Sequence, residues 1–306
     1  MPTYRPNEEY LRAAIDSVFA QTETDWQLFV SDEPTDVNTE EMIPKNEKIN
    51  FKRHMYPLGI GKNWNTCLQF GDSPYVQFLF QDDTWDSRYL ERAIEILDNN
   101  PDIGFVSLGH EYKYEGKIPT KNTYKELQDY LTYNVSEGRH SGNEFLLKWM
   151  ENGLHPNVIG EPSFVMMRRE VMQQVGEFRT DMSQNLDSEY WTRMLAKTNW
   201  FYLPGNFGTF RVHADSASMR NFESGAGIFD RFRMLKSATA LLPENRRRQA
   251  KEIQKKHTRK MVEKFVKRYG NEHIHLNEQQ SISKFVLRHP LLMLRCLQNF
   301  GSRQKR

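Results

Sequence analysis

The sequence is poor in cysteine and has no long apolar run, and each shortage excludes a class of protein. Its two cysteines, Cys67 and Cys296, stand far apart in 306 residues, which excludes a disulfide framework and a cysteine-rich zinc site. No apolar run approaches the ~18 residues of an ordinary transmembrane helix. The first ten residues lack the apolar core of a secretory signal. We therefore expect a cytoplasmic protein.

The net charge is only +2, but charged residues of each sign are unevenly distributed along the chain. Residues 220–306 contain 21 basic and 7 acidic residues, whereas residues 1–219 contain 21 basic and 33 acidic ones. Such asymmetry is typical of a segment that meets an anionic partner, although a solvated helical face explains it equally well. The basic helices lack interleaved aromatic residues that stack on bases, so we expect no nucleic-acid partner.

Helical and extended patterns alternate over the first two thirds of the chain, which predicts an α/β fold with a mostly parallel sheet. The predicted strands of this part include residues 26–31, 49–54, 75–80 and 103–108. Two long basic helices are predicted after residue 221, over 229–242 and 246–269. We therefore expect an α/β domain over residues 1–220 and a basic helical extension over 221–306.

Two adjacent carboxylates, Asp82 and Asp83, follow the predicted strand 75–80 directly. In open α/β sheets, ligands bind beyond the carboxyl ends of the strands. Paired carboxylates there can hold Mg²⁺ or Mn²⁺, and the cation can bridge the phosphates of a nucleotide. Such pairs are also common in solvated turns and helix caps, but the position at a strand end favours a metal site.

Asp32 and Glu33 end the strand 26–31 in the same manner. An acidic side chain at such a strand end can accept hydrogen bonds from a ribose hydroxyl or a base N–H. The alternative is an acidic turn beside Pro34, which is the better explanation when the pair is considered in isolation.

Three further residues are candidates for catalytic or binding roles. Asp187 opens a predicted helix and could act as a general base on a hydroxyl, although a helix-capping acid is the better explanation when the residue is considered in isolation. Arg211 and His213 lie two apart on a short strand and therefore on one face. They could supply a phosphate contact and a metal ligand, although a single histidine is more often structural.

An ordered set of short motifs covers residues 2–218. In chain order they are Pro2-Thr-Tyr-Arg5, Ser17-Val-Phe-Ala-Gln-Thr22, Val30-Ser-Asp-Glu-Pro-Thr-Asp36, Pro57-Leu-Gly-Ile-Gly-Lys-Asn-Trp-Asn65, Gln81-Asp-Asp83, Gly160-Glu-Pro-Ser163, Asp187-Ser-Glu-Tyr-Trp-Thr-Arg193 and Phe210-Arg-Val-His213. Each motif alone is degenerate, but the set in this order resembles the family 2 glycosyltransferases. The resemblance implies a GT-A fold and an inverting hexosyltransferase that uses a nucleotide-sugar donor.

The resemblance also implies a role for each candidate residue. The residues implied to bind the nucleotide-sugar are Thr3, Tyr4, Asp32, Glu33, Asp82 and Arg211, the last of these at the diphosphate. The residues implied to bind a divalent cation, Mn²⁺ or Mg²⁺, are Asp83 most directly, Asp82 and His213. Asp187 falls on the Asp of the family's Glu-Asp base motif, whose Glu is Leu186 here. A single carboxylate base fits one inverting displacement, since retention needs a second carboxylate nearby.

The acceptor implied by the resemblance is a glycan or a polyprenyl-linked glycan of a cell-surface polysaccharide. For the tail, the sequence itself predicts peripheral contact with the anionic inner face of the plasma membrane. Its apolar strip consists of Phe285, Val286, Leu287, Leu291, Leu292, Leu294, Leu297 and Phe300, flanked by Arg288, Arg295, Arg303, Lys305 and Arg306. Packing of this strip on the α/β domain is a nearly equal alternative.

The chain departs from the family pattern at its start. Arg5 and Pro57 replace two asparagines of the family, and Met1 stands where the family's first apolar strand ends. We therefore expect only a stub of that strand over residues 1–3, and a functional protein that begins upstream of Met1. This departure motivates the alternative of a non-catalytic, glycosyltransferase-like binding protein, against which the retained carboxylates argue.

Overall fold

The structure is a computed structural model, and it describes residues 1–116, 121–182, 184–214, 216–217, 220–221, 229–269, 283, 285–288 and 290–291. It divides into two compact units. The α/β unit comprises Met1–Leu146, Pro156–Asp181 and Leu186–Ala214, and the helical unit comprises Leu147–His155, Met182–Asn185 and Asp215–Arg306. The division at residue 220 that the composition suggests stays a prediction.

The described strands form three sheets, with the orders β1-β2-β3, β4-β9-β6-β10-β8 and β5-β11-β7. Their bounds are β1 Pro2–Thr3, β2 Leu28–Asp32, β3 Ile49–Arg53, β4 Tyr75–Gln77, β5 Thr84–Trp85, β6 Ile103–Leu108, β7 Glu111–Tyr114, β8 Gly138–His140, β9 Val165–Arg168, β10 Asn199–Leu203 and β11 Gly208–Val212. Parallel pairs join β1 to β2, β2 to β3, β6 to β10 and β7 to β11. The remaining pairs are antiparallel, so the predicted α/β class with a mixed sheet is confirmed.

Helices connect most of these strands. Their bounds are α1 Glu8–Phe19, α2 Thr39–Met42, α3 Ile60–Leu68, α4 Tyr89–Asn99, α5 Lys121–Asn134, α6 Gly142–Glu151, α7 Arg169–Val175, α8 Leu186–Leu195, α9 Asp230–Leu241 and α10 Glu244–Tyr269, with a 3₁₀ turn at Pro162–Phe164. Helix α1 shows why the sequence folds this way. The Asn7 side chain caps it by accepting from the Tyr10 N–H, and its apolar positions bury one face.

The core of the α/β unit is built around β6, all six residues of which are buried. A strand buried on both faces needs apolar cover from two layers. On one side the Phe105 ring stacks between those of Trp191 and Trp200, with centroids 6.0 and 6.4 Å away. On the other side Val106 belongs to a cluster that reaches α1 and α4. This packing fixes the strand ends at which the candidate residues lie.

The expected stub is present as β1. It pairs in parallel with β2, with Pro2 opposite Ser31 and Thr3 opposite Asp32. On its other side, the Tyr4 N–H donates to Gln81 Oε1 at 2.8 Å and Gln81 Nε2 donates back to the Tyr4 carbonyl at 3.2 Å. A side-chain amide therefore joins β1 to the segment that carries Asp82.

Strand β4 ends at Gln77 and is therefore shorter than the predicted strand 75–80. Beyond Gln77 the Phe80 N–H donates to a side chain, Ser163 Oγ, at 3.0 Å, and not to the backbone of a neighbouring strand. Phe78 and Leu79 stay buried, so the apolar run serves the core without continuing the ladder.

The helical unit contains the two long helices that the sequence predicts, α9 and α10. Phe232, Val262 and Phe285 form its buried cluster, and the Phe285 ring stacks on that of Phe229 at 4.2 Å. Of the expected apolar strip, Phe285 is therefore packed, whereas Leu287 and Leu291 are 79% and 71% exposed. Leu292, Leu294, Leu297 and Phe300 lie outside the described residues, as do Arg295, Arg303, Lys305 and Arg306. Among the described helices, none has the length and apolarity needed to cross a bilayer.

Candidate active site

The carboxyl ends of β1 and β2 bring Thr3, Asp32 and Glu33 together, because parallel strands end at one edge of a sheet. Thr3 Oγ1 donates to Asp32 Oδ1 at 2.7 Å, and the Glu33 N–H donates to the Thr3 carbonyl at 3.0 Å. The Leu58 N–H donates to Glu33 Oε2 at 2.8 Å. The loop after β3 therefore closes over this edge, and both carboxylates are buried.

Each of these carboxylates has one oxygen that accepts no hydrogen bond from the described residues. These oxygens are Asp32 Oδ2, which lies 3.8 Å from Arg53 Nε, and the buried Glu33 Oε1. Burial raises the pKa of Asp32, while the Thr3 hydroxyl and the Arg53 guanidinium act in the opposite direction. Buried acceptors without partners are costly and rare, so a ligand that donates N–H or O–H groups would be stabilised here.

Tyr4 and Arg5 follow this edge directly. The Tyr4 ring is 46% exposed, which leaves room for a flat group to stack on it. Arg5 adopts a positive φ of 45°, a left-handed conformation that asparagine enters more readily than arginine. The substitution of arginine for the family's asparagine therefore costs backbone strain at the entrance of the candidate nucleotide site.

Asp82 and His213 form a second polar group, between β4 and β5 and just after β11. His213 Nε2 lies 2.8 Å from Asp82 Oδ2, and both side chains stay partly accessible, at 16% and 19%. The His213 ring packs at 5.7 Å from the Tyr10 ring of α1. The two side chains therefore form a hydrogen-bonded pair, and the metal site implied for them stays a prediction.

Asp83 differs from its expected place at an exposed strand end, because it is completely buried. Ser163 Oγ donates to its Oδ2 at 2.6 Å and the Arg211 N–H to its Oδ1 at 3.1 Å. Burial raises its pKa well above the ordinary range, and the charge of Asp82 adds to the rise. Asp83 therefore braces the turn beneath the site, and Asp82 is better placed to contact a ligand.

Arg211 lies on β11 with a largely buried guanidinium. Its Nε donates to the Asp82 carbonyl at 3.2 Å, and its second donor binds Glu115 Oε1 at 2.7 Å. The guanidinium also lies 4.0 Å from the centre of the Tyr10 ring, a cation–π contact. Arg211 thus holds the Asp82 turn in place, and a phosphate contact from it stays a prediction.

Asp187 lies in the first turn of α8, where the helix dipole favours a negative charge. Asn157 Nδ2 donates to its Oδ2 at 2.8 Å, and the Ser188 N–H donates to its Oδ1 at 2.7 Å. Burial nevertheless raises its pKa to about 7, partly opposed by the Ser188 N–H and assisted by the charge of Glu161. A carboxylate with a pKa near neutrality and a fixed direction suits a general base.

The sequence did not predict a role in the site for the loop over residues 156–163, because its Gly160-Glu-Pro-Ser163 motif suggests no chemistry by itself. In the structure Asn157 holds Asp187 and Ser163 holds Asp83. Between them Glu161 lies with its Oε2 3.1 Å from His110 Nε2. The feature of the sequence that could have indicated this role is Glu161, an acidic residue between a glycine and a proline just before a buried strand.

The chain is similar to known proteins both in sequence and in fold. The family model "Glycosyl transferase family 2" matches residues 1–176, and the chain belongs to that family. A curated relative is the UDP-Glc:alpha-D-GlcNAc-diphosphoundecaprenol beta-1,3-glucosyltransferase WfgD of Escherichia coli, 30% identical over 135 residues, which are 42% of this chain and 53% of that protein. The chain spans about half the length of the curated relatives it matches.

Solved structures show the same GT-A fold. TarS residues 1–349 of S. aureus in complex with UDP-GlcNAc aligns with a TM-score of 0.63 at 13% identity, over 98% of this chain and 78% of that one. The mannosyltransferase PcManGT of Pyrobaculum calidifontis, in complex with GDP-Man and Mn²⁺, aligns with a TM-score of 0.59 at 15% identity, over 94% and 78%.

Proposed function

We propose that this protein transfers a hexose from a nucleoside diphosphate sugar to a hydroxyl of a glycan or polyprenyl-linked acceptor, with inversion, in the synthesis of a cell-surface polysaccharide. The observation that carries the proposal is Asp187, a positioned carboxylate with a pKa of about 7, in the same unit as the Asp82–His213 pair. Membership of family 2 and the relatives' nucleotide-sugar ligands support it.

The nucleoside end of the donor fits the β1–β2 edge. Asp32 Oδ2 and Glu33 Oε1 have no hydrogen-bond donor among the described residues, and uracil N3–H and ribose hydroxyls are donors that such oxygens can bind. Tyr4 lies next to this edge, is 46% exposed, and is an aromatic side chain against which a base can pack. WfgD is named for UDP-Glc and a TarS structure contains UDP-GlcNAc, which supports uridine as the first base to test.

The residues present fit a divalent cation of the kind that binds with a diphosphate. Mg²⁺ and Mn²⁺ sites often use one or two protein ligands and complete their shell with phosphate oxygens and water. Asp82 and His213 are suitable ligands for Mn²⁺, and within the described ranges no cluster of three or more potential ligands forms a closed cage. A cation held there would neutralise the charge that develops on the leaving diphosphate.

Several residues of the chain have separate roles in the proposed reaction. Asn157 directs Asp187 so that its carboxylate can take the proton of an acceptor hydroxyl. Arg211 and Ser163 keep the Asp82-Asp83 turn rigid, so that the diphosphate is held where the bond to the sugar breaks. One carboxylate base on the face opposite the leaving group gives inversion.

A nucleotide-sugar screen tests the proposal. We expect the full chain to release nucleoside diphosphate from one of a panel of UDP-, GDP- and dTDP-sugars, with release stimulated by Mn²⁺ and measured by coupled diphosphate detection. Asp32→Asn should raise the KM for that donor, because it removes a buried acceptor charge from the nucleoside edge. Exposed Asp72→Asn is the matched control. Binding of nucleotides without release by any donor would favour the non-catalytic alternative.

Peripheral contact with the membrane is a separate prediction about the helical unit. Helix α10 exposes Arg247, Arg248, Lys251, Lys255, Lys256 and Lys260, and each basic residue near an anionic surface contributes about 1 kcal/mol. We expect the full chain to sediment with vesicles that contain phosphatidylglycerol and to do so less at high salt. Arg248→Glu with Lys251→Glu should reduce the bound fraction, whereas Lys125→Glu on α5 should not. Equal sedimentation with neutral vesicles would contradict this prediction.

A further inference from the structure

Glu161 is a carboxylate of the α/β unit to which the proposed reaction gives no task. Tyr112 Oη donates to it at 3.3 and 3.4 Å from its two oxygens, and His110 Nε2 lies 3.1 Å from its Oε2. The His110 ring is itself fixed by stacking on Phe164 at 3.9 Å between ring centres. Tyr112 thus hydrogen-bonds Glu161, the His110 ring lies beside it, and 14% of the Glu161 side chain remains accessible.

The position of Glu161 along its loop is informative. Four residues before it, Asn157 binds the candidate base Asp187, and two residues after it, Ser163 binds Asp83. The charge of Glu161 contributes, after burial, to raising the pKa of both aspartates. Glu161 therefore lies within electrostatic reach of both the base and the turn that carries Asp82, between the two ends of the reaction.

The surroundings of Glu161 are those of a polar ligand site. His110 Nε2 is buried and makes no hydrogen bond of good geometry with any described residue. The preceding Gly160 has a φ of +111°, and a Cβ built there would meet nothing within 4 Å. The rings of Tyr112, Tyr124 and Phe210 pack 4.7 to 5.9 Å apart beside it.

We propose that Glu161 binds hydroxyl groups of the sugar that is transferred and so determines which donor sugars are accepted. This assignment rests on the proposed function. An ionised carboxylate accepts up to about four hydrogen bonds, and Tyr112 uses only part of that capacity. A second sugar hydroxyl can donate to His110 Nε2 in the tautomer whose Nδ1–H faces the Leu108 carbonyl at 3.4 Å, which satisfies the buried imidazole. The aromatic rings offer an apolar face for the C–H side of a sugar.

The negative charge of Glu161 also selects against part of the possible donors. A neutral hexose presents only hydroxyl donors to it, whereas the carboxylate of a uronic acid would be repelled by a like charge in a site of low dielectric constant. We therefore expect neutral hexoses to be accepted and uronic acids to be rejected at this position.

The test compares the affinity for a whole donor with that for its nucleotide alone. We would titrate the full chain calorimetrically, in Mn²⁺, with the nucleotide-sugar that gives the largest release in the screen and with its parent nucleoside diphosphate. Glu161→Gln should weaken the nucleotide-sugar about tenfold, as expected for a lost charge-assisted hydrogen bond, and leave the nucleoside diphosphate unchanged. Glu126→Gln, on the exposed face of α5, is the matched control.

The possible results separate this assignment from the proposed function. Equal weakening of both ligands in Glu161→Gln would show a structural role and overturn the assignment alone, as would no weakening of either. Unchanged nucleoside diphosphate binding in the variant shows that the site still folds. A wild-type chain that binds no nucleotide would overturn the proposed function and this assignment with it. In wild type, a UDP-uronic acid that binds as tightly as the matching neutral UDP-hexose would also contradict it.

Discussion

We expect Asp187→Asn to lower sugar transfer by on the order of 10²-fold or more, the usual contribution of a general base, with little change in donor and cation affinity. The amide keeps the shape of the side chain and its place beside Asn157, but it cannot accept a proton from the acceptor. Steady-state transfer and calorimetric donor binding check this together. Asp129→Asn, on the exposed face of α5, controls for the loss of one negative charge.

The pH profile gives the same assignment a second test. A carboxyl group with a raised pKa of about 7 is protonated below that pH and cannot act as a base, so kcat of the wild-type chain should fall as the pH falls below 7. The residual activity of Asp187→Asn should lack this limb. A collapse of donor affinity in the variant would make Asp187 a binding residue, and an unchanged profile would remove it from the proton transfer.

The second large effect is expected for Asp82→Asn, which should abolish Mn²⁺-stimulated release at cation concentrations that saturate the wild-type chain. The variant loses the carboxylate partner of His213, whose Nε2 lies 2.8 Å from Asp82 Oδ2. Loss of several kcal/mol of charge stabilisation at the leaving group corresponds to about 10²-fold or more in rate. Mn²⁺ titration followed by electron paramagnetic resonance, with UDP present, checks the affinity directly.

Two controls sharpen this experiment. His213→Gln should weaken Mn²⁺ in the same direction, because it removes the second member of the pair. Exposed Asp72→Asn should leave Mn²⁺ affinity unchanged. Full Mn²⁺ stimulation in Asp82→Asn would contradict the assignment and favour Asp83, which the family resemblance implies as the more direct ligand.

The choice between Asp82 and Asp83 shows where sequence reasoning reaches its limit. The sequence correctly predicts a strand before the pair, although β4 ends at Gln77 and not at Phe80. Which carboxylate is buried depends on Ser163 and Arg211, which lie 80 and 128 residues further along the chain. A local sequence pattern carries no information on contacts between residues so far apart. Only the fold therefore distinguishes the candidate ligand, Asp82, from the buried supporting residue, Asp83.

The regular elements divide in the same way. Periodicity predicts α1, β6 and α9 well, since each buries a continuous apolar face or stripe. The stretch from Glu111 to His140 is polar, and it contains β7, α5 and β8. Strands β7 and β8 lie at the edges of their sheets with half-exposed surfaces, so their hydrophobic signal is weak.

The stereochemistry of the product tests the central claim most directly. The product made by the wild-type chain, from the donor found in the screen, should be followed by ¹H NMR as it forms, so that the anomeric coupling constant is read before any later equilibration. A single displacement assisted by Asp187 predicts that the first product has the anomeric configuration opposite to that of the donor. A first product with the donor's own configuration would contradict the account, because retention requires a second carboxylate or a different arrangement of the site.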